Sequence, residues 1–219
     1  MPDGGDTAFI IEELKSVRVA APGPSYWRGF AGSGEDASNR FAFTPPWRTV
    51  YARAVESALV RLKLRDGSVG WGEATCPIAP EVVCTLQNGF IAEVVRGRSF
   101  SSIAALVDFL YDAQRCRGYL AGHYQDAVAA LDIALHDALA KRARCAVGAL
   151  LGGERRNFIP AYLSGARAPT REQRVELLQR WSASARAAKL FLRGSLEDDL
   201  EELAALQAAV PAIEWWSVD

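Results

Sequence analysis

Apolar and charged residues mix at strand-like spacing from Ile10 to Val19. A second long strand is predicted from Val50 to Arg65. Near its end Val60, Leu62 and Leu64 alternate with Arg61, Lys63 and Arg65, which marks one buried face and one wet face. Asp66-Gly67 is a hairpin signal, and Val69 to Ala74 returns antiparallel. Residues 20–48 break this pattern with Pro22, Pro24, Pro45 and Pro46 and have no helical period. They are predicted to form one long loop inserted in a three-stranded antiparallel meander, and loops of that length are uncommon unless functional or disordered. Tyr26, Trp27, Phe30, Phe41, Phe43 and Trp47 make the segment too aromatic for a disordered tract.

Helical periods follow. Pro80 suits the first turn of a helix running to about Val95. Ser101 or Ser102 caps the next, through about Ala113. His123 to Arg142 is the clearest amphipathic helix, with Ala127, Leu131, Ala134, Leu135, Ala138 and Leu139 on one face. Gly152-Gly153 ends a short turn. After residue 157 strands and helices alternate: a strand over 158–163, a helix from Thr170 with Gln173 as a capping box to about Arg186, a strand over 187–192, a helix from Ser195 to before Pro211, and a strand over 213–218. That alternation indicates parallel βαβ units.

Composition narrows the function classes. The 219 residues are 50% hydrophobic and 23% charged, with 25 Lys+Arg against 26 Asp+Glu, and this balance argues against a nucleic-acid partner. No stretch free of Asp, Glu, Lys and Arg exceeds 11 residues, too short for a membrane span. Met1 to Asp6 is polar and acidic, unlike a signal peptide, so the expected location is cytoplasmic. Cys76, Cys84, Cys116 and Cys145 show no C-x-x-C spacing, which argues against zinc; four reduced thiols, each in a core, are expected. Gly29 to Gly34 lacks the strand-to-helix context of a nucleotide loop.

Five stretches resemble one known family in order and spacing. They are Asp66-Gly67-Ser68-Val69-Gly70-Trp71-Gly72-Glu73-Ala74; Ala130-Leu131-Asp132-Ile133-Ala134-Leu135-His136-Asp137; Leu150-Leu151-Gly152-Gly153 followed by Ile159-Pro160-Ala161-Tyr162; Lys189 in a later strand; and Val218-Asp219 after a further helix. Together they resemble the enolase superfamily, in its mandelate racemase and muconate-lactonizing enzyme branch. The resemblance implies an α+β capping domain over residues 1–157, built of the meander plus helices. It also implies the first part of a TIM-like (β/α) barrel over 158–219, with three strands. A whole barrel takes about 250 residues, so this one is incomplete.

The implied chemistry is Mg²⁺-dependent abstraction of a proton α to a carboxylate, with stabilisation of the resulting enediolate. Charge developing on the carboxylate oxygens calls for a hard metal ion and cationic side chains. By resemblance, Asp219 matches the first of three acidic metal ligands, and Lys189 matches the first lysine of a K-x-K motif, a catalytic position. The family's capping loop closes over the barrel mouth, which makes Trp27, Arg28, Asn39 and Arg40 candidate substrate contacts. Arginines suit a carboxylate, and aromatics suit a sugar face. Glu73 and His136 are expected to be structural. A small-molecule carboxylate, a sugar acid, is the implied partner, and family members commonly form homo-oligomers.

One departure shapes the reaction. The second lysine is replaced by Phe191, and residues two apart on a strand share a side. If instead Lys189 is the second lysine, Ala187 stands at the first. Either way one lysine is lost, which disfavours lysine-based two-base racemisation. The expectation is a sugar-acid dehydratase in a full-length parent. A racemase, epimerase or cycloisomerase of the same superfamily is the alternative, as is a non-catalytic truncated or decayed binding module. The 219-residue chain by itself is expected to be inactive.

Overall fold

The computed structural model describes residues 8–21, 40–44, 49–76, 78–153, 156, 158–192 and 194–218. The chain divides into two compact units, Met1–Arg155 and Arg156–Asp219. Among the described residues no helix is long and apolar enough to cross a membrane.

The first unit is built on an antiparallel sheet. Strands are numbered in chain order: β1 Phe9–Ala21, β2 Phe41–Thr44, β3 Thr49–Ala52, β4 Val55–Leu64, β5 Val69–Ala74 and β6 Ser99–Phe100. The order in the sheet is β5-β4-β1-β6, and β2 and β3 form a separate two-stranded ribbon. The predicted meander is therefore present as β1, β4 and β5. Asp66-Gly67 makes its hairpin, with Gly67 at φ +90° and the Ser68 N–H donating to Asp66 Oδ1 at 2.8 Å. Two details differ. The predicted strand over 50–65 is interrupted between β3 and β4, and residues 41–44 of the predicted loop are strand. Segments of two to four residues are too short to show a period, so β2 and β6 left no pattern to read.

The alternation in β4 behaves as predicted: Ala58, Val60, Leu62 and Leu64 are buried in the core. Over the same face lie helices. The expected helix 80–95 is continuous but contains a wider turn: α1 Pro80–Thr85, a π-helical segment Leu86–Ile91, and α2 Ala92–Val95. Such π segments are rare and occur mostly as single turns inside α-helices. Here Gln87 donates to the Ala127 carbonyl. Asn88 pairs with both backbone groups of Ser16, accepting from its N–H at 2.8 Å and donating to its carbonyl at 2.9 Å. Asn88 thus satisfies an edge position of β1 as a neighbouring strand would. Ser102 caps α3, Ile103–Arg115. Helix α4 spans His123–Arg142, as read from the sequence. Helix α5 is the short Val147–Leu150. Cys76 is buried and Cys84 and Cys145 partly so, but Cys116 is exposed at the end of α3, against the expectation that every thiol sits in a core.

The contact that sets this architecture is between α4 and β5. A Cβ on Gly70 would lie 1.9 Å from the Ala134 carbonyl oxygen, and one on Gly72 would lie 2.0 Å from that of Ala130. Helix backbone therefore rests directly on strand backbone. Two residues of strand advance about 6.7 Å and four residues of helix about 6 Å, so alternate glycines keep step with Ala130, Ala134 and Ala138. Asp137 closes the seam, accepting from the Trp71 N–H at 2.9 Å and from Lys141 Nζ at 2.6 Å.

A second anchor is ionic. The Glu56 side chain is 1% exposed and accepts from Arg18 at 2.7 Å and from Arg40. Arg40 also donates to both oxygens of Glu81, at 2.6 and 2.8 Å. The hydrogen bond from Arg40, opposed by burial and helped by Arg18, holds the Glu56 carboxyl below its ordinary value. Glu81, on α1, is lowered to about 2 by the same guanidinium.

The second unit has three parallel strands, β7 Tyr162–Gly165, β8 Ala187–Leu190 and β9 Trp215–Val218, in that order, with α6 Arg171–Trp181 and α7 Leu196–Ala209 between them. All elements were predicted, but boundaries move. The first strand begins at Tyr162 rather than Phe158, because Pro160 has no N–H to pair. Helix α6 ends at Trp181, not Arg186. Thr170 caps it by accepting from the Gln173 N–H, and Ser195 with Asp198 forms a full capping box on α7. Leu178, Ala188, Leu190, Leu206, Val210 and Ile213 make a small core of their own.

Two stability outcomes follow from these contacts. Gly72→Ala should cost about 3 kcal/mol or prevent folding, because backbone must move to admit the methyl group. Gly89→Ala, where an added Cβ meets nothing within 4 Å, should be neutral or slightly stabilising; urea unfolding of both variants is the comparison. A carboxyl held below its unfolded value contributes stability that is complete above that value and vanishes as pH falls through the folded one. Glu56→Gln should therefore cost about 2 kcal/mol at pH 7, and its deficit relative to the unaltered protein should shrink as pH is lowered below 4.5. Urea midpoints measured across that pH range test the sign.

Candidate functional site

The parallel strands of the second unit have two different faces. Ala188 and Leu190 of β8 point into the core with Leu163 and Trp216. In register on the other face stand Ser164, Lys189 and Ser217, with Tyr162, Ala187 and Trp215 one step earlier. Tyr162 and Trp215 are 58% and 74% exposed, an unusual amount of aromatic surface on one small sheet.

Lys189 lies on this face, one residue before the end of β8. Phe191, just past the strand end, turns to the same side: Lys189 Nζ is 5.1 Å from its ring centroid. The Arg167 guanidinium lies 4.4 Å from the same centroid. Both distances are within cation–π range. Gly165, at the end of β7 beside the Phe191 ring, takes φ +92°, a left-handed conformation that favours glycine. Two cations thus gather around one aromatic ring where β7 and β8 end, a positive cluster suited to an anionic substrate. Arg167 was not singled out from the sequence. Its only signal was a cation following a glycine at a strand end.

The other expected site residues fall elsewhere. Trp27, Arg28, Asn39 and Asp219 lie outside the described residues. Arg40 is in the first unit, its guanidinium engaged by Glu56 and Glu81. Glu73 is exposed on β5, on the side opposite the glycines that meet α4. His136 is half-buried on α4, with Nδ1 3.0 Å from the Asp132 carbonyl oxygen. Magnesium prefers about six oxygen ligands in octahedral geometry. The six positions on the Lys189 face of β7, β8 and β9 include no carboxylate. These six positions therefore do not make a magnesium site by themselves.

The family model for the mandelate racemase / muconate lactonizing enzyme N-terminal domain matches residues 39–152, just over half of the chain. A D-galactarolactone cycloisomerase from Agrobacterium fabrum is 30% identical over 158 residues, which is 69% of this chain and 40% of that protein. A crystal structure of a member of the enolase superfamily from Agrobacterium tumefaciens is 34% identical, with a TM-score of 0.87, over 97% of this chain and 55% of that one. A racemase from Streptomyces coelicolor with bound magnesium, 22% identical, shares the fold at a TM-score of 0.72, over 92% of this chain and 52% of that one. The chain thus spans roughly half or less of the length of these relatives. The glycine hairpin, the alanine face of α4 and Asp137 all lie inside the matched region, followed by a parallel βαβ sheet. The chain belongs to the mandelate racemase and muconate lactonizing enzyme family of the enolase superfamily.

Proposed function

We propose that residues 1–157 are the capping domain, and residues 158–219 the opening strands of the barrel, of an enzyme that removes a proton α to the carboxylate of a sugar-acid derivative. The observation that carries this reading is the cation cluster at the ends of β7 and β8, Lys189 and Arg167 about Phe191. Lys189 Nζ receives or returns the α-proton, the usual task of a positioned base. Arg167 binds and orients the carboxylate, for which a planar guanidinium is suited. Trp27, Arg28 and Asn39 contact the rest of the substrate. Arg40, held by Glu56 and Glu81, anchors the end of the segment that carries them. Mg²⁺, when bound, neutralises charge on the carboxylate oxygens, with Asp219 as one of its ligands and the rest supplied by the portion of the relatives' length that this chain does not span. A cytoplasmic homo-oligomer is the accompanying expectation.

A single lysine serves one face of the substrate, which favours a one-base reaction. The 30% identity to a cycloisomerase supports an isomerisation of a sugar-acid lactone. Dehydration is the second reading, favoured by the phenylalanine at position 191. There the α-proton passes to the base, the β-hydroxyl leaves with a proton as water, and a 2-keto-3-deoxy acid results.

The test uses a protein of the relatives' full length, incubated with sugar acids and their lactones in D₂O and followed by NMR. Isomerised product with no loss of water supports the first reading, 2-keto-3-deoxy acid supports the second, and inertness toward the whole set overturns both. In the active case Lys189→Ala should lower kcat by about 10²–10⁴-fold. An unchanged kcat would remove Lys189 from the mechanism. The 219-residue chain assayed alone should show no turnover.

A further inference from the structure

Chain spacing gives no hint of a transition-metal site, yet the fold brings three side chains of ligand type together in the first unit. Cys76 lies just past the end of β5. His123 and Asp126 stand three apart in the first turn of α4, so their side chains leave the same helix face. One donor atom from each of the three lies within 4.8 Å of the other two. Cys76 Sγ is 3.8 Å from Asp126 Oδ2, and His123 Nδ1 is 3.6 Å from the same oxygen. With zinc–sulfur bonds of about 2.3 Å and zinc–nitrogen or zinc–oxygen bonds of about 2.0–2.1 Å, tetrahedral ligands sit roughly 3.4–3.6 Å apart. The two separations to Asp126 need to close by only a few tenths of an ångström, and the sulfur and the imidazole start within 4.8 Å of each other.

A second observation points the same way. His123 Nδ1 is buried and makes no hydrogen bond, because its nearest carboxylate oxygen is just beyond hydrogen-bond range. A buried ring nitrogen left without a partner is costly unless something fills the position. Exposure is graded across the cluster. Cys76 is 2% exposed, whereas the His123 and Asp126 side chains are 42% and 44% exposed. The sulfur is therefore shielded from oxidants, while the partly exposed His123 and Asp126 side chains leave an entry path.

We propose that Cys76, His123 and Asp126 form a zinc-type transition-metal site with three protein ligands and an open fourth position. The mixed sulfur, nitrogen and oxygen donors suit zinc and exclude magnesium as occupant. Binding breaks the Cys76 S–H bond and forms a metal–sulfur bond, and the proton leaves to solvent. Without the ion the thiol stays protonated, pushed up to about 11 by burial and by the Asp126 charge. The start of α4, positive by its dipole, favours the thiolate and carboxylate charges. A bound ion would clip the end of β5 to the first turn of the helix whose later turns rest on Gly72 and Gly70. The site is independent of the proposed reaction and of the second unit.

The experiment is a cobalt(II) titration of the reduced 219-residue chain carrying Cys116→Ser, which removes the exposed thiol. One equivalent should bind with thiolate-to-cobalt charge transfer and the intense d–d bands of a tetrahedral ion, and one equivalent of zinc should displace it. Cys76→Ser should abolish the charge-transfer band. His123→Gln, at a partly exposed helix position, should weaken binding at least about tenfold while circular dichroism stays unchanged. A weak octahedral spectrum, a charge-transfer band that survives Cys76→Ser but is lost with Cys84→Ser or Cys145→Ser, or unaltered affinity in His123→Gln would each overturn the assignment.

Discussion

Helix backbone lying directly on strand backbone is the constraint from which the first unit follows. Gly70 and Gly72 leave no room for any side chain beneath Ala134 and Ala130. Such contact requires glycine on alternate strand positions and small residues every fourth helix position, in matching direction. It also sets the position of everything attached to α4. Tyr124 at its start donates to the Leu110 carbonyl on α3 at 2.6 Å, and Ala127 accepts from the π-turn residue Gln87. A one-residue slip of α4 would break the glycine fit, the Asp137 bond to Trp71 and the Gln87 bond at once. The two sequence stretches that carry the strongest family likeness are therefore two halves of one packing interface. Their likeness speaks for the fold.

The long segment between β1 and β4 returns to the sheet through charge. Arg40 emerges from it and meets Glu56, a side chain almost wholly out of water, which Arg18 of β1 also binds. A carboxylate buried to that degree would be strongly unfavourable without both partners. Both guanidiniums serve it, and Arg40 extends the network to Glu81 on α1. Arg40, a candidate substrate contact by resemblance, has two carboxylate partners inside its own unit.

The parallel sheet of the second unit has an apolar, packed face and a polar, aromatic one. One face of β8 packs Ala188 and Leu190 against α6 and α7, so its partners are apolar. The other face carries Lys189 between serines, with Tyr162 and Trp215 largely exposed. Phe191 beyond the strand end gathers Lys189 and Arg167. The Phe191 ring is the surface on which these two cations rest.

Much of this was legible in the sequence because it is periodic or local. Alternation in β4, the Asp66-Gly67 turn, the full extent of α4 and the Ser102, Thr170 and Ser195 caps each depend on near neighbours in the chain. The short strands β2 and β6, the π turn at Leu86–Ile91 and the late start of β7 were not legible, since each is decided by a partner distant in sequence or by a run too short to show a period. The same distinction applies to the candidate sites. Lys189 was singled out by its likeness to the family's K-x-K lysine on a predicted strand. Arg167 beside Phe191, and Cys76 beside His123 and Asp126, exist only once separate elements converge. A sequence determines which face of an element is apolar and where that element begins, because those depend on spacing along the chain. Which polar groups meet is settled only by how the elements pack.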